Sequence, residues 1–179
     1  VGVSFAFRDP TEHGLGIWYR HRLIETKIDA IQDQTAYRQA GVYVVLGGAG
    51  GLGRAWSEHV IRHYGAQVIW LGRRAIDSDI KAAQAALSEF GPCPDYFSVD
   101  ANDPQALSQI QRQIRQRFGP VNGLVHSAIT LRDASVATMS YTDFQDALHA
   151  KVDLSVHAIE AFFAEPFDFV LFFSSMIAF

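Results

Sequence analysis

The run Gly47-Gly48-Ala49-Gly50-Gly51-Leu52-Gly53 sits between an apolar, β-branched stretch and a segment with helical spacing. Glycines let a backbone turn tightly and approach a pyrophosphate with no Cβ in the way. The helix that follows offers free N–H groups and a partial positive charge to phosphates. Two registers fit: Gly48, Gly50 and Gly53 match G-x-G-x-x-G, while Gly47, Gly51 and Gly53 match G-x-x-x-G-x-G. Both place a phosphate at the same point. No Lys-Ser/Thr pair follows, so an ATPase loop is a poor reading.

In a fold of this kind the residue that reads the ribose 2′ position lies about 20 residues beyond the glycines, at the end of the second strand. Arg73 and Arg74 stand there. An acidic residue would favour NAD; guanidinium groups make charge-assisted forks to a 2′-phosphate. NADPH is the expected cofactor.

Lys151 lies in a segment that reads as one long helix from Ser140 to about Ala164. On an ideal wheel Phe144, Leu148, Ser155, Ala158, Ile159 and Phe162 share a face, and Lys151 falls within about 20° of its centre. Burying an ammonium there is costly unless a function needs it. Aimed at the carboxyl ends of the strands, it would orient a nicotinamide ribose and favour proton delivery. Ser174 and Ser175 follow the last apolar strand at the same edge, where a hydroxyl can bond a carbonyl oxygen.

The elements that position these groups alternate. Strands are expected over Val42–Leu46, Gln67–Leu71, Asp95–Val99, Val121–His126 and Phe167–Phe173, and helices over Leu52–Tyr64 and Ile80–Phe90. A further helix starts at Asp103-Pro104, with Asp as cap and Pro at the first helical position, and stops at Gly119-Pro120. Such alternation implies a parallel sheet with right-handed crossovers, a Rossmann-type doubly wound α/β fold. Residues 1–40 read as a separate piece with a linker, and 41–179 as the nucleotide-binding domain. The chain opens in a strand-like run without an initiator Met and closes just after a strand. It is expected to be cut at both ends, and to fold poorly alone with its last sheet edge uncovered.

Composition narrows the classes. The 179 residues carry a net charge of −4, which lacks the basic footprint of a nucleic-acid binder. One cysteine, Cys93, leaves no disulfide framework or Cys-rich metal site and fits a reducing, cytoplasmic setting. No apolar run approaches membrane-spanning length. His59 and His63 are four apart on a helix, but no third ligand accompanies them, so no metal site is expected. Phe162, Phe163, Phe167, Phe169, Phe172 and Phe173 read as core.

The glycine run from Gly41 to Gly53, Gly72-Arg73-Arg74, Asn122-Gly123-Leu124-Val125-His126-Ser127-Ala128, Lys151-Val152-Asp153 and Phe169-Val170-Leu171-Phe172-Phe173-Ser174-Ser175-Met176 together resemble the short-chain dehydrogenase/reductase superfamily. Within it they are similar to ketoreductase domains of modular polyketide synthases, most of all the trans-acyltransferase type. The resemblance covers residues 36–179.

The resemblance implies NADPH-dependent reduction of a β-ketoacyl thioester, carried by the phosphopantetheine of an acyl carrier protein, among other domains of one synthase. It implies that Lys151 and Ser175 are catalytic. It places Asp100 and Ala101 near the adenine, and His126, Ser127 and Ala128 with the glycine loop against the cofactor. Residues 1–35 resemble the end of the structural subdomain that precedes such domains. Asp133, within Leu131-Arg132-Asp133, matches a motif tied to product stereochemistry at two of three positions. Leu46 replaces the usual Thr, which would loosen the glycine turn. No tyrosine here matches the catalytic one, Tyr141 included, so this piece alone is expected to be inactive. Two alternatives stand beside this reading. One is a non-catalytic nucleotide-binding or scaffold domain of a synthase, and the other is a free-standing short-chain dehydrogenase.

Overall fold

The computed structural model describes residues 5–8, 17–20, 24–25, 35–130, 134–135 and 137–174. The chain divides into two compact units: Thr35–Phe173, and a second made of Val1–Gln34 with Ser174–Phe179. In the second unit, β1 (Phe5–Arg8) pairs antiparallel with β2 (Ile17–Arg20), with Phe7 opposite Trp18 and their rings 5.1 Å apart.

The larger unit is a five-stranded sheet. Its strands are β3 (Val42–Leu46), β4 (Gln67–Gly72), β5 (Asp95–Ser98), β6 (Gly123–His126) and β7 (Phe169–Phe172), in the order β5-β4-β3-β6-β7. Every pairing is parallel. The order runs outward from β3 in one direction and then, after a crossover, outward in the other. This is the doubly wound arrangement expected, with its switch point between β3 and β6.

Side-chain alternation along the strands divides the core into two layers. Val42, Val44, Leu46, Ile69, Leu71 and Leu124 face one way, onto Leu107 and Ile114 of α3 (Pro104–Phe118) and Leu154 and Ala158 of α5 (Val152–Ala161). Tyr43, Val45, Val68, Trp70 and Val125 face the other, onto Trp56, Val60 and Ile61 of α1 (Gly51–Tyr64) and Ala83 and Leu87 of α2 (Ser78–Ser88).

Local chemistry sets the helix ends. Asp103 accepts from the N–H groups of Gln105 and Ala106, with Pro104 in the first turn as expected. Gly65 closes α1 at φ 57°, a conformation open to glycine. The Asp77 side chain accepts from Ile80 N, so α2 starts two residues before the expected point.

The long helix is not continuous. It consists of α4 (Tyr141–His149) and α5, separated at Ala150-Lys151. Lys151 N bonds to Leu148 O at 2.9 Å, a tightened turn, and the Ser155 hydroxyl caps the Lys151 carbonyl. The wheel therefore misplaces α4. Phe144 and Leu148 are exposed, and the buried face of α5 is Leu154, Ala158 and the following Phe162. Of the aromatics expected in the core, Phe162 is fully buried, Phe163 is 82% exposed and Phe172 lies half-open on β7, at the sheet edge.

Residues 35–40, which the sequence reading places in the linker, pack as part of the larger unit. The Tyr37 ring contacts Tyr43, Trp56, Tyr64 and Phe169, and Arg38 forks onto Asp168 at 2.5 and 2.6 Å. No helix among the described residues is long and apolar enough to cross a membrane.

Candidate functional site

Strand register brings the carboxyl ends of the sheet to one edge: Leu46 lies opposite Leu71 and His126, and His126 opposite Phe172. The glycine loop leaves this edge from β3 and enters α1.

Three glycines of the loop are there for space. Gly47 has φ +75°, and a Cβ on it would lie 2.7 Å from Ala128 Cα. A Cβ on Gly48 would lie 2.1 Å from the Trp70 ring, and one on Gly53 would lie 2.6 Å from Gly48 Cα. Gly51 meets nothing within 4 Å. The crowded set is thus 47, 48 and 53, which neither sequence register describes in full. Beneath the loop, Trp70 Nε1 donates to Ser57 Oγ at 2.9 Å, and Ser57 Oγ donates to Gly53 O at 2.7 Å. Gly50 N bonds Gly47 O at 2.9 Å, and Leu46 O accepts both the N–H and the hydroxyl of Ser127 at 2.9 Å.

The α1 N-terminus is open. Gly50 offers no side-chain cap, and its first turn holds no acidic residue. Its N–H groups and the positive end of its dipole face the loop unneutralised, the condition for binding an anion.

A cleft of about 370 Å³ opens at this edge, a size suited to a small-molecule ligand. Its walls include Gly47, Ala49, Gly50, Arg73, Arg74, Ala101, Ser127 and Ala128, all expected from the sequence. Tyr96, Val99, Ile129 and Leu154 also line it and were not singled out. Tyr96 lies within β5, Val99 directly after it, Ile129 three residues past β6 and Leu154 one turn past Lys151, places that carried no chemical signal of their own.

The two arginines differ in state. Arg74 is held by Asp79 at 3.3 Å and Asp77 at 3.5 Å, and its carbonyl accepts from Tyr96 OH at 2.6 Å. Arg73 makes no ion pair among the described residues. Asp79 also takes Arg54 at 2.7 Å, whose Nε donates to Ala49 O at 2.7 Å, so the loop and the β4 end are braced together. The two guanidinium groups hold the Asp79 carboxyl below its ordinary range.

Other expected residues lie outside the cleft lining. Gly48 and Gly53 are packed inside the turn, Gly51 and Leu52 are on its outer side, and the Asp100 side chain folds back to accept from Asn102 N at 3.0 Å. His126 is buried behind the edge. Lys151 is half-buried, and its ammonium donates to Phe173 O at 3.3 Å, past the end of β7. Burial pushes its pKa down. The glycine loop and arginine pair thus share a cleft, while Lys151 sits on the same sheet edge, outside its walls. Ser175 and Asp133 lie outside the described residues.

A second cleft of about 350 Å³ shares Arg73, Ala128, Ile129 and Leu154 with the first and is closed by Asn102, Asp146 and His149. Among the described residues no group of three or more His, Cys, Asp or Glu is placed to hold a metal ion. The His59 and His63 rings lie tilted at 50° with centroids 4.8 Å apart, and His59 meets Tyr37 edge-on at 5.9 Å.

The family model for the KR domain matches residues 41–179. The chain is 46% identical over 170 residues to polyketide synthase ThaG of Burkholderia thailandensis, which covers 95% of this chain and 3% of that protein. It is 44% identical over 178 residues to polyketide synthase PksN of Bacillus subtilis, covering 99% of this chain and again 3% of the relative. A crystal structure of a ketoreductase domain from the bacillaene assembly line superposes with a TM-score of 0.77 at 28% identity, over 90% of this chain and 37% of that one. The chain therefore spans a small fraction of the length of these synthases and just over a third of the solved domain.

Proposed function

The chain belongs to the KR domain family, and we propose that it forms the cofactor-binding part of an NADPH-dependent β-ketoacyl reductase working inside a polyketide synthase. Its substrate is a β-ketoacyl chain on the phosphopantetheine of an acyl carrier protein, and its product is the β-hydroxyacyl thioester. The observation that carries this reading is the open α1 N-terminus and crowded glycine turn beside an unpaired Arg73 in one cleft. That donor set fits a dinucleotide with a 2′-phosphate.

When bound, NADPH supplies the hydride that reduces the β-carbonyl. The α1 N–H groups and the backbone of Gly47–Gly50 hold the pyrophosphate. Arg73 takes the 2′-phosphate, and Arg74, braced by Asp77 and Asp79, adds field without a free fork. Ala101 and Val99 form the apolar wall for the base, with the Asp100 turn beside them. Ser127 fixes the β3 and β6 ends by both its bonds to Leu46 O, which keeps the Ala128 backbone against Gly47. Lys151 orients the nicotinamide ribose and keeps a positive charge near the developing alkoxide, and Ser175 donates to the carbonyl oxygen. Asp133 is tied to the stereochemistry of the hydroxyl product.

Fluorescence titration of the full-length protein with NADPH and NADH, followed by turnover of a β-ketoacyl thioester, tests this. Tighter binding of NADPH with turnover is expected. NADPH binding without turnover would favour a scaffold domain, and no binding of either dinucleotide would remove the proposal.

A further inference from the structure

The bonding between β4 and β5 continues past the last paired residues. Gly72 and Ser98 form the final register pair, and Val99 N then donates to Gly72 O at 2.9 Å. The next two carbonyls after β4 are taken by side chains of β5. Arg73 O accepts from Ser98 Oγ at 3.4 Å, and Arg74 O accepts from Tyr96 OH at 2.6 Å. Residues two apart on a strand face the same side, so both hydroxyls reach the same turn. The Tyr96 bond is the strong one of the two, because 3.4 Å is long for a hydroxyl donor.

The path of the Tyr96 hydroxyl has a steric requirement. A Cβ on Gly72 would lie 2.8 Å from Tyr96 OH, so only glycine at 72 lets the phenol cross to Arg74 undisturbed. What this crossing holds is the backbone on either side of Arg73. The peptide before Arg73 is pinned through Gly72 O, and the chain after it through Arg73 O and Arg74 O. The Arg73 guanidinium makes no ion pair among the described residues, so its backbone is what aims it. Asp77 and Asp79 hold the tip of Arg74, but those pairs are exposed and contribute little. Tyr96, Arg73 and Arg74 all line the first cleft.

We propose that Tyr96 is a positioning residue for recognition of the 2′-phosphate: its hydroxyl, passing over Gly72, anchors the turn after β4 so that Arg73 presents its guanidinium to the cleft. This rests on the role given to Arg73 above. The anchor is in place before any ligand arrives, so binding does not have to order the turn.

The test titrates the full-length protein with NADPH and with NADH, using Tyr96→Phe, which keeps the ring and removes only the hydroxyl. Tyr96→Phe is expected to weaken NADPH about 3–10-fold, with NADH changed by less than about twofold. Made on top of Arg73→Ala, the same substitution should leave NADPH affinity within about twofold of Arg73→Ala alone, because the group it aims is gone. Gly72→Ala should reproduce the Tyr96→Phe loss, and the two together should lose little more than either. A loss shared equally by NADPH and NADH, or one that persists in full on Arg73→Ala, would overturn the proposal in favour of packing or of a direct contact with the dinucleotide. Unchanged NADPH affinity in Tyr96→Phe would overturn it outright, and that variant decides even if Gly72→Ala does not fold. A parent protein that binds NADPH and NADH alike would instead remove the 2′-phosphate role of Arg73, and this proposal with it, before any Tyr96 variant is compared.

Discussion

The Lys151 ammonium reaches the Phe173 carbonyl at 3.3 Å, tying the gap between α4 and α5 to the end of β7. A half-buried ammonium with one backbone partner is under-satisfied, since it has three donors to place. The free donors are what a ribose hydroxyl or a developing alkoxide would use. Replacing Lys151 with Ala in the full-length protein is expected to cut turnover about 100- to 10,000-fold. NADPH affinity and the thermal midpoint should change little, because the side chain leaves the cleft walls untouched. Paired kinetic and melting measurements check this, and a large fall in the midpoint would assign Lys151 to stability instead.

Arg73 and Arg74 are neighbours with different freedom, and the difference is measurable. Arg73→Ala removes an unpaired guanidinium from the cleft, and a charge-assisted bond to phosphate contributes about 1.5–3 kcal/mol. NADPH should therefore bind roughly 10- to 100-fold more weakly, with NADH little affected. Arg74→Ala should be milder and less selective, since Asp77 and Asp79 already engage that side chain. Titrating both variants with both dinucleotides checks the order. Equal weakening of NADPH and NADH by Arg73→Ala would end its assignment to the 2′-phosphate.

Where the sequence spoke clearly, the signal was local and dense. The glycines between Val42–Leu46 and α1 marked the turn from strand to helix, and Asp103-Pro104 marked the start of α3, because both depend on the backbone conformation of adjacent residues. Ser140 marked the start of α4 likewise, its hydroxyl accepting from Asp143 N at 3.1 Å. Periodicity failed at Ala150-Lys151. A wheel assumes a straight helix, whereas here the turn tightens, with Lys151 N bonded to Leu148 O, and the Lys151 ammonium reaches the carbonyl of Phe173, a partner 22 residues away. Tyr37 and Arg38 were unreadable for the same reason. A polar run looks like a linker until Phe169 and Asp168 arrive from the far end of the chain. The distinct states of Arg73 and Arg74 likewise depend on where Asp79 falls at the head of α2.

Glu165 is buried and ties the turn after α5 to α3 and the start of β6. Its carboxylate accepts from Gln111 Nε2 at 2.6 Å, Arg115 NH1 at 2.7 Å and Val121 N at 2.9 Å. Arg115 is half-exposed, so the ion pair contributes less than the buried Val121 N–H would lose without a partner. Glu165→Ala orphans that N–H, at a cost of about 1–3 kcal/mol, and Glu165→Gln keeps an acceptor for it and should cost less. Urea unfolding of the two variants measures the order. A Gln variant as unstable as the Ala variant would show that the charge carries the site.

Arg38 and Asp168 give the larger unit a pH-dependent clasp. The Arg38 fork bonds both carboxylate oxygens, and these bonds hold the Asp168 carboxyl below its ordinary range. A carboxyl with a depressed folded pKa adds stability that is present above its unfolded value, near pH ~3.9, and lost as pH falls through the folded value. Asp168→Asn removes the titration while keeping the shape. The difference in melting temperature between parent and variant should hold steady above about pH 5 and shrink as acid is added below about pH 4. High salt should shrink it too, because Arg38 is exposed and screening reaches it. A difference that stays constant through the acid range would mean that the Asp168 N–H to Asn122 O bond at 2.8 Å, and the packing of Tyr37 on Phe169, hold residues 35–40 in place without the clasp.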